Sequence, residues 1–245
     1  MTLQVLSSSS AGNCYILSNQ KEALIVECGV KVSSIVKALD YNIAKVSGCL
    51  CTHEHKDHSK YVADLADLGV LVLALPSVIK SSGTSGHHRV KEIEAGKGYV
   101  VGRFKVFAFS VAHDVPCVGF VITHEDTGSM LFLTDTFTCD YRFDNLTTIM
   151  IEANYSDDIL NERIGAGKVM QSMRRRLLYS HMELETTKHI LLSHDLSSVN
   201  NIVLLHLSSE NSNASRFKEE ISAITGKSVY VADKGLEIGI GLMPY

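Results

Sequence analysis

The chain is poor in proline, with three in 245 residues. No Pro-rich linker, low-complexity tract or internal repeat divides it, so it reads as one domain over residues 1–245. No apolar run is long enough to span a bilayer, which excludes a helical membrane anchor. Met1 to Ser10 has neither a cationic start nor a long apolar core, so no export signal is expected. The six cysteines, Cys14, Cys28, Cys49, Cys51, Cys117 and Cys139, form no C-x-x-C pair, which argues against a zinc ribbon. Most lie in or beside apolar runs and read as buried, reduced thiols. With no export signal, they predict a cytoplasmic protein. Basic charge is not in excess either: 23 Lys and Arg face 27 Asp and Glu, for a net charge of −4. The chain therefore lacks the general basic footprint of a non-specific nucleic-acid binder. Any such contact must be local, or aided by bound cations.

What the chain does have is a dense histidine cluster. Thr52-His53-Glu54-His55-Lys56-Asp57-His58 places four potential metal ligands in six residues, as H-x-H-x-D-H. It follows the apolar stretch Val46 to Cys51 and precedes a helical pattern starting near Ser59. A tight loop there can turn all four side chains to one cavity. Imidazole and carboxylate donors suit zinc, and also manganese or iron. Three more apolar runs end in a potential ligand. Val106 to Ala112 runs into His113-Asp114, Met130 to Leu133 into Thr134-Asp135, and Ile202 to Leu205 into His206. Loops after strands commonly carry functional residues.

Short β-rich runs between turn residues predict strands at Leu3–Leu6, Tyr15–Leu17 and Ala23–Val26. The serine-rich Ser7 to Asn13 reads as the first turn. Further strands are expected at Val46–Cys51, Val70–Leu75, Val90–Glu94, Tyr99–Val101, Phe104–Phe109, Val118–Thr123 and Ser129–Leu133. Ile202–Leu207, Ser228–Val231 and Gly235–Ile238 complete the strand set. Apolar spacing predicts helices at Ser33–Leu39, Tyr61–Leu68, Lys168–Leu178, Glu183–Leu192 and Ala214–Ile224. Gly69 follows the second helix as a natural stop. Strands, then helix-strand alternation, then helices and strands again suggest two sheets with helices on their outer faces.

The ordered set T-H-x-H-x-D-H, His, Asp, His resembles the metallo-β-lactamase fold superfamily over nearly the whole chain. The resemblance implies an α+β fold, a four-layered αββα sandwich with its site at one edge of the two sheets. It implies two divalent metal ions, zinc foremost, with manganese or iron as alternatives. His53, His55 and His113 would hold one, and Asp57, His58 and His206 the other, with Asp135 bridging. Flanking segments resemble the YycJ/WalJ-type branch: Ser7 to Tyr15, Ile151-Glu152-Ala153-Asn154-Tyr155, and Leu205-His206-Leu207-Ser208-Ser209-Glu210-Asn211. Arg176 followed by Ser180-His181-Met182 is similar to its R…G-H-L region, although the glycine is absent here. Glu27 also departs from the pattern, standing where an Asp usually supports the ligand loop. Only 71 positions separate Asp135 from His206 (206 − 135), too few for the inserted domain of the RNA-processing β-CASP enzymes.

Members of that branch are regarded as metal-dependent nucleases. The implied function is a phosphodiesterase that removes nucleotides from DNA 5′ ends, using a metal-bridging hydroxide as nucleophile. In this reading Asp57 and His181 are catalytic, His181 supplying the leaving-group proton or contacting the phosphate. Ser9, Asn13, Asn154 and Arg176 contact substrate. Nucleic acid is then the partner, and no protein partner can be inferred. A cyclic phosphodiesterase, lactonase or thioesterase on the same scaffold is the enzymatic alternative. A non-catalytic binding protein is the alternative outside enzymes, but all seven ligand positions are filled. An oxygen-reducing di-iron role is disfavoured by His55, where such relatives carry Glu.

Overall fold

The computed structural model describes residues 1–242, apart from the side chains of 171–173. The chain opens with β1 (Thr2–Ser9), β2 (Gly12–Ser18), β3 (Ala23–Val26), α1 (Val32–Ala38) and β4 (Val46–Cys51). It continues with α2 (Lys56–Ser59), α3 (Val62–Asp67), β5 (Val72–Ala74), α4 (Pro76–Ser81) and β6 (Val90–Glu92). Next come β7 (Lys97–Val101), β8 (Phe104–Val111), β9 (Cys117–His124), β10 (Gly128–Leu133) and β11 (Leu146–Glu152). The last third holds α5 (Asp157–Gly165), α6 (Gln171–Ser180), α7 (Leu184–Leu192), β12 (Asn201–Leu205), α8 (Ala214–Thr225), β13 (Ser228–Val231) and β14 (Glu237–Gly239).

The strands form two seven-stranded mixed sheets, ordered β14-β1-β2-β3-β4-β5-β6 and β13-β12-β11-β10-β9-β8-β7. Side-chain alternation explains why they face each other. On β10, Met130 and Phe132 join the core shared with the first sheet, while Leu131 and Leu133 point to the opposite face. On β12, Val203 and Leu205 point inward, and Ile202 and Leu204 outward. Such strands, apolar on both faces, must be covered twice. On the first sheet's far side Ile35 of α1 and Leu65 of α3 join the core. Leu184 and Leu191 of α7 and Phe217 and Ile221 of α8 cover the second sheet. The result is the expected αββα sandwich.

Several expectations need correction. The serine-rich segment is not an open turn: Ser7 pairs with Cys14, Ser8 with Asn13 and Ser9 with Gly12. β1 and β2 therefore run through it, leaving Ser10-Ala11 as the tight reversal. α2 begins inside the histidine motif, before Ser59. β11, α4 and α5 had no counterpart in the sequence reading. The helix expected at Lys168–Leu178 lies two to three residues later, at Gln171–Ser180. No described helix is long and apolar enough to cross a membrane.

A polar clasp joins the sheets at the end away from the histidine motif. Glu22, just before β3, accepts from Arg103 Nε at 2.6 Å and Arg103 N at 3.1 Å, in the β7–β8 turn. Ser47 Oγ donates to it at 3.1 Å, and His124 Nε2 lies at 3.1 Å. Burial alone would raise the carboxyl, but Arg103 and His124 pull it down from 4.5 to about 2. The ionised form therefore stabilises the fold fully above 4.5, and that contribution is lost as pH falls toward 2. Glu22→Gln is expected to cost about 1–3 kcal/mol at neutral pH. Thermal melts should show the two proteins several degrees apart at pH 7 and converging between pH 4.5 and 2.

Candidate metal centre

Six strands end at one edge of the sandwich, and each delivers a polar side chain there. β3 is followed by Glu27, β4 by Thr52-His53, β8 by Ala112-His113, β10 by Thr134-Asp135 and β12 by His206. β11 ends on Glu152. Glu27, Asp135 and His206 adopt positive φ, at 65°, 47° and 52°. Non-glycine residues take this left-handed conformation at a cost of roughly 1–2 kcal/mol each. Here it turns the chain sharply off the strand and aims the side chain inward.

The ligand loop is built on β4. His55 caps α2, whose first turn carries Asp57 and His58. A backbone bond from Cys28 N to His58 O (2.9 Å) ties it to the segment after β3, which Gly29 N to Asn13 O (2.9 Å) ties in turn to β2. Gly29 permits this approach: a Cβ there would sit 1.7 Å from the Asp57 carbonyl oxygen. Glu27 is fully buried beneath the loop, accepting from Thr52 Oγ1 at 2.5 Å with His58 Nδ1 at 3.4 Å. The longer carboxylate thus occupies the loop-supporting place the family gives to Asp. In all, the structure brings together every ligand candidate read from the sequence.

The donors form two separate groups that could each hold a cation, His53, His55 and His113, and Asp57, His58, Asp135 and His206; an overlapping third set, Asp135, Glu152, His181 and His206, shares two members with the second. His113 Nε2 lies 3.3 Å from His55 Nδ1. His58 Nε2 lies 3.4 Å from both Asp57 Oδ2 and Asp135 Oδ1, and His206 Nε2 lies 3.6 Å from Asp57 Oδ2. Ligands about 2.1 Å from a tetrahedral centre sit roughly 3.4 Å apart, so these spacings suit a shared ion. Nε2 of His53 and of His206 are both buried without a hydrogen-bond partner. Their Nδ1 atoms are engaged, by Thr52 Oγ1 at 2.9 Å and Glu152 Oε1 at 3.3 Å. A ring that donates through Nδ1 presents an Nε2 lone pair, which is how a metal-binding histidine is oriented. The chemistry and spacing of the donor set fit divalent cations.

Electrostatics agree. Burial opposes ionisation of Asp135 and Asp57, yet His206 and His58 hold both carboxyls well below the usual range. Burial would also strip the proton from His58 and His206. Asp135 and its neighbouring carboxylates reverse this, raising His58 and pushing His206 up to about 10. Protons there balance negative charge that a cation could balance instead. Burial holds His53 and His113 in the neutral, ligating form.

Glu152, within the Ile151–Tyr155 segment, is a site residue that the sequence pattern does not single out. It is fully buried and binds His181 Nδ1 at 2.7 Å, His206 Nδ1 at 3.3 Å, and the backbone N–H groups of Thr136 and Met182 at 3.1 and 3.2 Å. One carboxylate so ties together the loops carrying Asp135, His181 and His206. Its position at the end of an apolar run, like the other site residues, was the signal available. His181 reaches the centre without the branch glycine, with Nδ1 3.8 Å from Asp135 Oδ2. Burial would lower its pKa, but Glu152 and Asp135 raise it overall.

The substrate candidates divide. Ser9, Asn154 and Arg176 line a cavity of about 470 Å³ beside the centre. It adjoins a second cavity of about 280 Å³ containing His55, Asp57, His113 and Asp135, and the two share Ser10, Arg176, Ser180, His181 and His206. Asn154 also anchors its neighbour, donating from Nδ2 to His206 O at 2.7 Å. Asn13 is buried instead, with Nδ2 3.0 Å from His58 Nε2 and 3.1 Å from Ser9 O. It touches the ligand loop rather than the cavity.

Known proteins resemble this chain in sequence and in fold. Residues 9–138 match the family model of the metallo-beta-lactamase superfamily, more than half of the chain. The chain belongs to that superfamily. With the donor set described, it is a metal-dependent hydrolase. It is 28% identical over 223 residues to "Exodeoxyribonuclease WalJ" of Streptococcus pneumoniae strain D39, covering 84% of this chain and 81% of that protein. It is 25% identical to "Exodeoxyribonuclease YycJ" of Bacillus anthracis, covering 96% and 92%. Among solved structures, the metallo-beta-lactamase fold protein YhfI from Bacillus subtilis superposes with a TM-score of 0.69 at 16% identity, over 97% of this chain and 99% of that one. A diphosphatase from the PhnP family gives 0.68 at 15%, over 97% and 96%. At such identities these two show the shared fold.

Glu27→Gln keeps the shape of the loop support but removes its charge. Chelator competition should show metal affinity falling about 10- to 100-fold. Unchanged affinity would mean Glu27 merely fills space.

Proposed function

We propose that the protein is a two-metal phosphodiesterase that removes nucleotides from DNA ends, acting from the 5′ end. The carrying observation is the pair of donor groups at one sheet edge, His53, His55 and His113 beside Asp57, His58, Asp135 and His206. Carboxylates among the donors favour hard cations, and two such cations held close together are the arrangement suited to displacement at phosphorus. The exodeoxyribonuclease names of the two sequence relatives supply the substrate class.

His53, His55 and His113 would hold one ion, and Asp57, His58 and His206 the other. When bound, such ions supply a water acidified toward neutral pKa and offset charge on the phosphoryl group. The remaining work falls to side chains. Asp57 orients the attacking water through its carboxylate. Glu152 holds the His181 ring by its Nδ1 at 2.7 Å, leaving Nε2 to pass a proton to the departing oxygen. Arg176, Ser9 and Asn154 line the adjoining cavity and contact the bound strand. Zinc is the favoured metal from the His-rich donor set, with manganese or iron accepted by the same ligands.

Elemental analysis should find two metal equivalents per chain. With manganese, the wild-type protein should release a 5′ label from duplex DNA, and a His55→Ala, Asp57→Ala double variant should not. His181→Ala should slow release by roughly 10²- to 10⁴-fold, the range for a lost general acid. Protein that holds two metals yet leaves label on both 5′-phosphorylated and unmodified ends would falsify the nuclease reading. Cyclic nucleotides, thioesters and lactones would then be the substrates to try.

A further inference from the structure

An aromatic pair, exposed Tyr179 and half-buried Phe137, lies next in the chain to residues of the metal cleft and outside the donor set. Phe137 lies two residues past Asp135, and Tyr179 two residues before His181. Their rings meet edge to face, with centroids 6.2 Å apart and planes at 84°. The Phe137 loop is fixed by bonds from Phe137 N and Thr136 Oγ1 to Ala112 O, at 3.3 and 2.8 Å, next to His113. Tyr179 is nevertheless 63% exposed. The edge-to-face contact fixes the angle of the Tyr179 ring while leaving most of its surface open to a planar partner.

Its surroundings point to the ligand. Tyr179 is on α6, three residues after Arg176 and four after Arg175, so these side chains share one helix face. Arg176 lines both cavities at the centre. Arg174 sits near Asp157 at 3.8 Å, whereas among the described residues neither Arg175 nor Arg176 forms an ion pair. In a chain of net charge −4, this places local positive charge and an exposed ring side by side at the cleft. Guanidinium groups beside a ring are how proteins hold single-stranded nucleic acid: charge follows the backbone while bases stack on aromatic faces.

We infer that Tyr179, braced by Phe137, is a stacking shelf for an unpaired nucleobase next to the phosphate being cleaved, with Arg175 and Arg176 gripping the strand leading to it. The inference rests on the nuclease reading and adds a substrate property. The strand at the rim is unpaired, because a base inside a duplex has no free face to offer.

Binding tests this without turnover. The probe is a fluorescein-labelled oligothymidylate with phosphorothioate linkages, titrated against the full-length, manganese-loaded protein and read by anisotropy. A second probe carries abasic sites at its end positions. Tyr179→Ala should weaken binding of the first probe about tenfold, and Tyr179→Phe by no more than about twofold. The abasic probe should bind the wild type as weakly as Tyr179→Ala binds the intact probe, and should lose nothing further to that variant. Equal affinities for wild type and Tyr179→Ala would overturn the shelf while leaving the nuclease reading intact. So would an equal loss on both probes, which would mark Tyr179 as a brace for α6 only. Failure of the wild type to bind either probe would overturn the nucleic-acid reading and the shelf with it.

Discussion

Three carboxylates, Glu27, Asp135 and Glu152, are buried at the sheet edge within reach of His58, His181 and His206. Uncompensated negative charge at such depth is costly, and much of the local structure answers that cost. Protons on His58 and His206 balance it in part. Divalent cations at the same donors would balance it more completely and draw on the unpaired Nε2 atoms of His53 and His206. Metal binding and local stability are therefore one problem in this protein.

The sandwich makes that concentration of charge possible. Strands apolar on both faces bury the two sheets against each other and against the helices, so their ends cannot shift freely. Loops leaving those ends inherit their rigidity. Glu27, Asp135 and His206 can then be held in left-handed conformations that a free chain would abandon. Beneath the donors lies a supporting set: Glu27 under the ligand loop, Glu152 under the loops from the second sheet, and Asn13 and Asn154 against His58 and the His206 backbone. The Glu22 clasp fastens the sheets at the other end.

Much of this was legible because the relevant signals are local. H-x-H-x-D-H declares its chemistry within six residues, and apolar runs that stop at His113, Asp135 and His206 mark strand ends. Most strands lie where alternation and turn residues place them. β11 escaped because Leu146 to Glu152 is buried throughout and lacks the alternation that identifies a half-exposed strand. α4 and α5 escaped because each buries a single described side chain, Val78 and Leu160, leaving little apolar periodicity to detect. The serine-rich segment looks like a loop by composition, but β2 pairs with Ser7, Ser8 and Ser9 and draws them into the sheet.

The sequence alone determined the donor inventory, its order along the chain and the αββα class, since each follows from residue type and short-range pattern. Tertiary structure decided which side chains meet. Only the fold could bring Glu152 under both His181 and His206, which lie 29 and 54 residues away in the chain. Only the fold could withdraw Asn13 from the cleft to the ring of His58, 45 residues on. Such pairings depend on how two sheets register against each other, a property of the packed core that no local window of sequence contains.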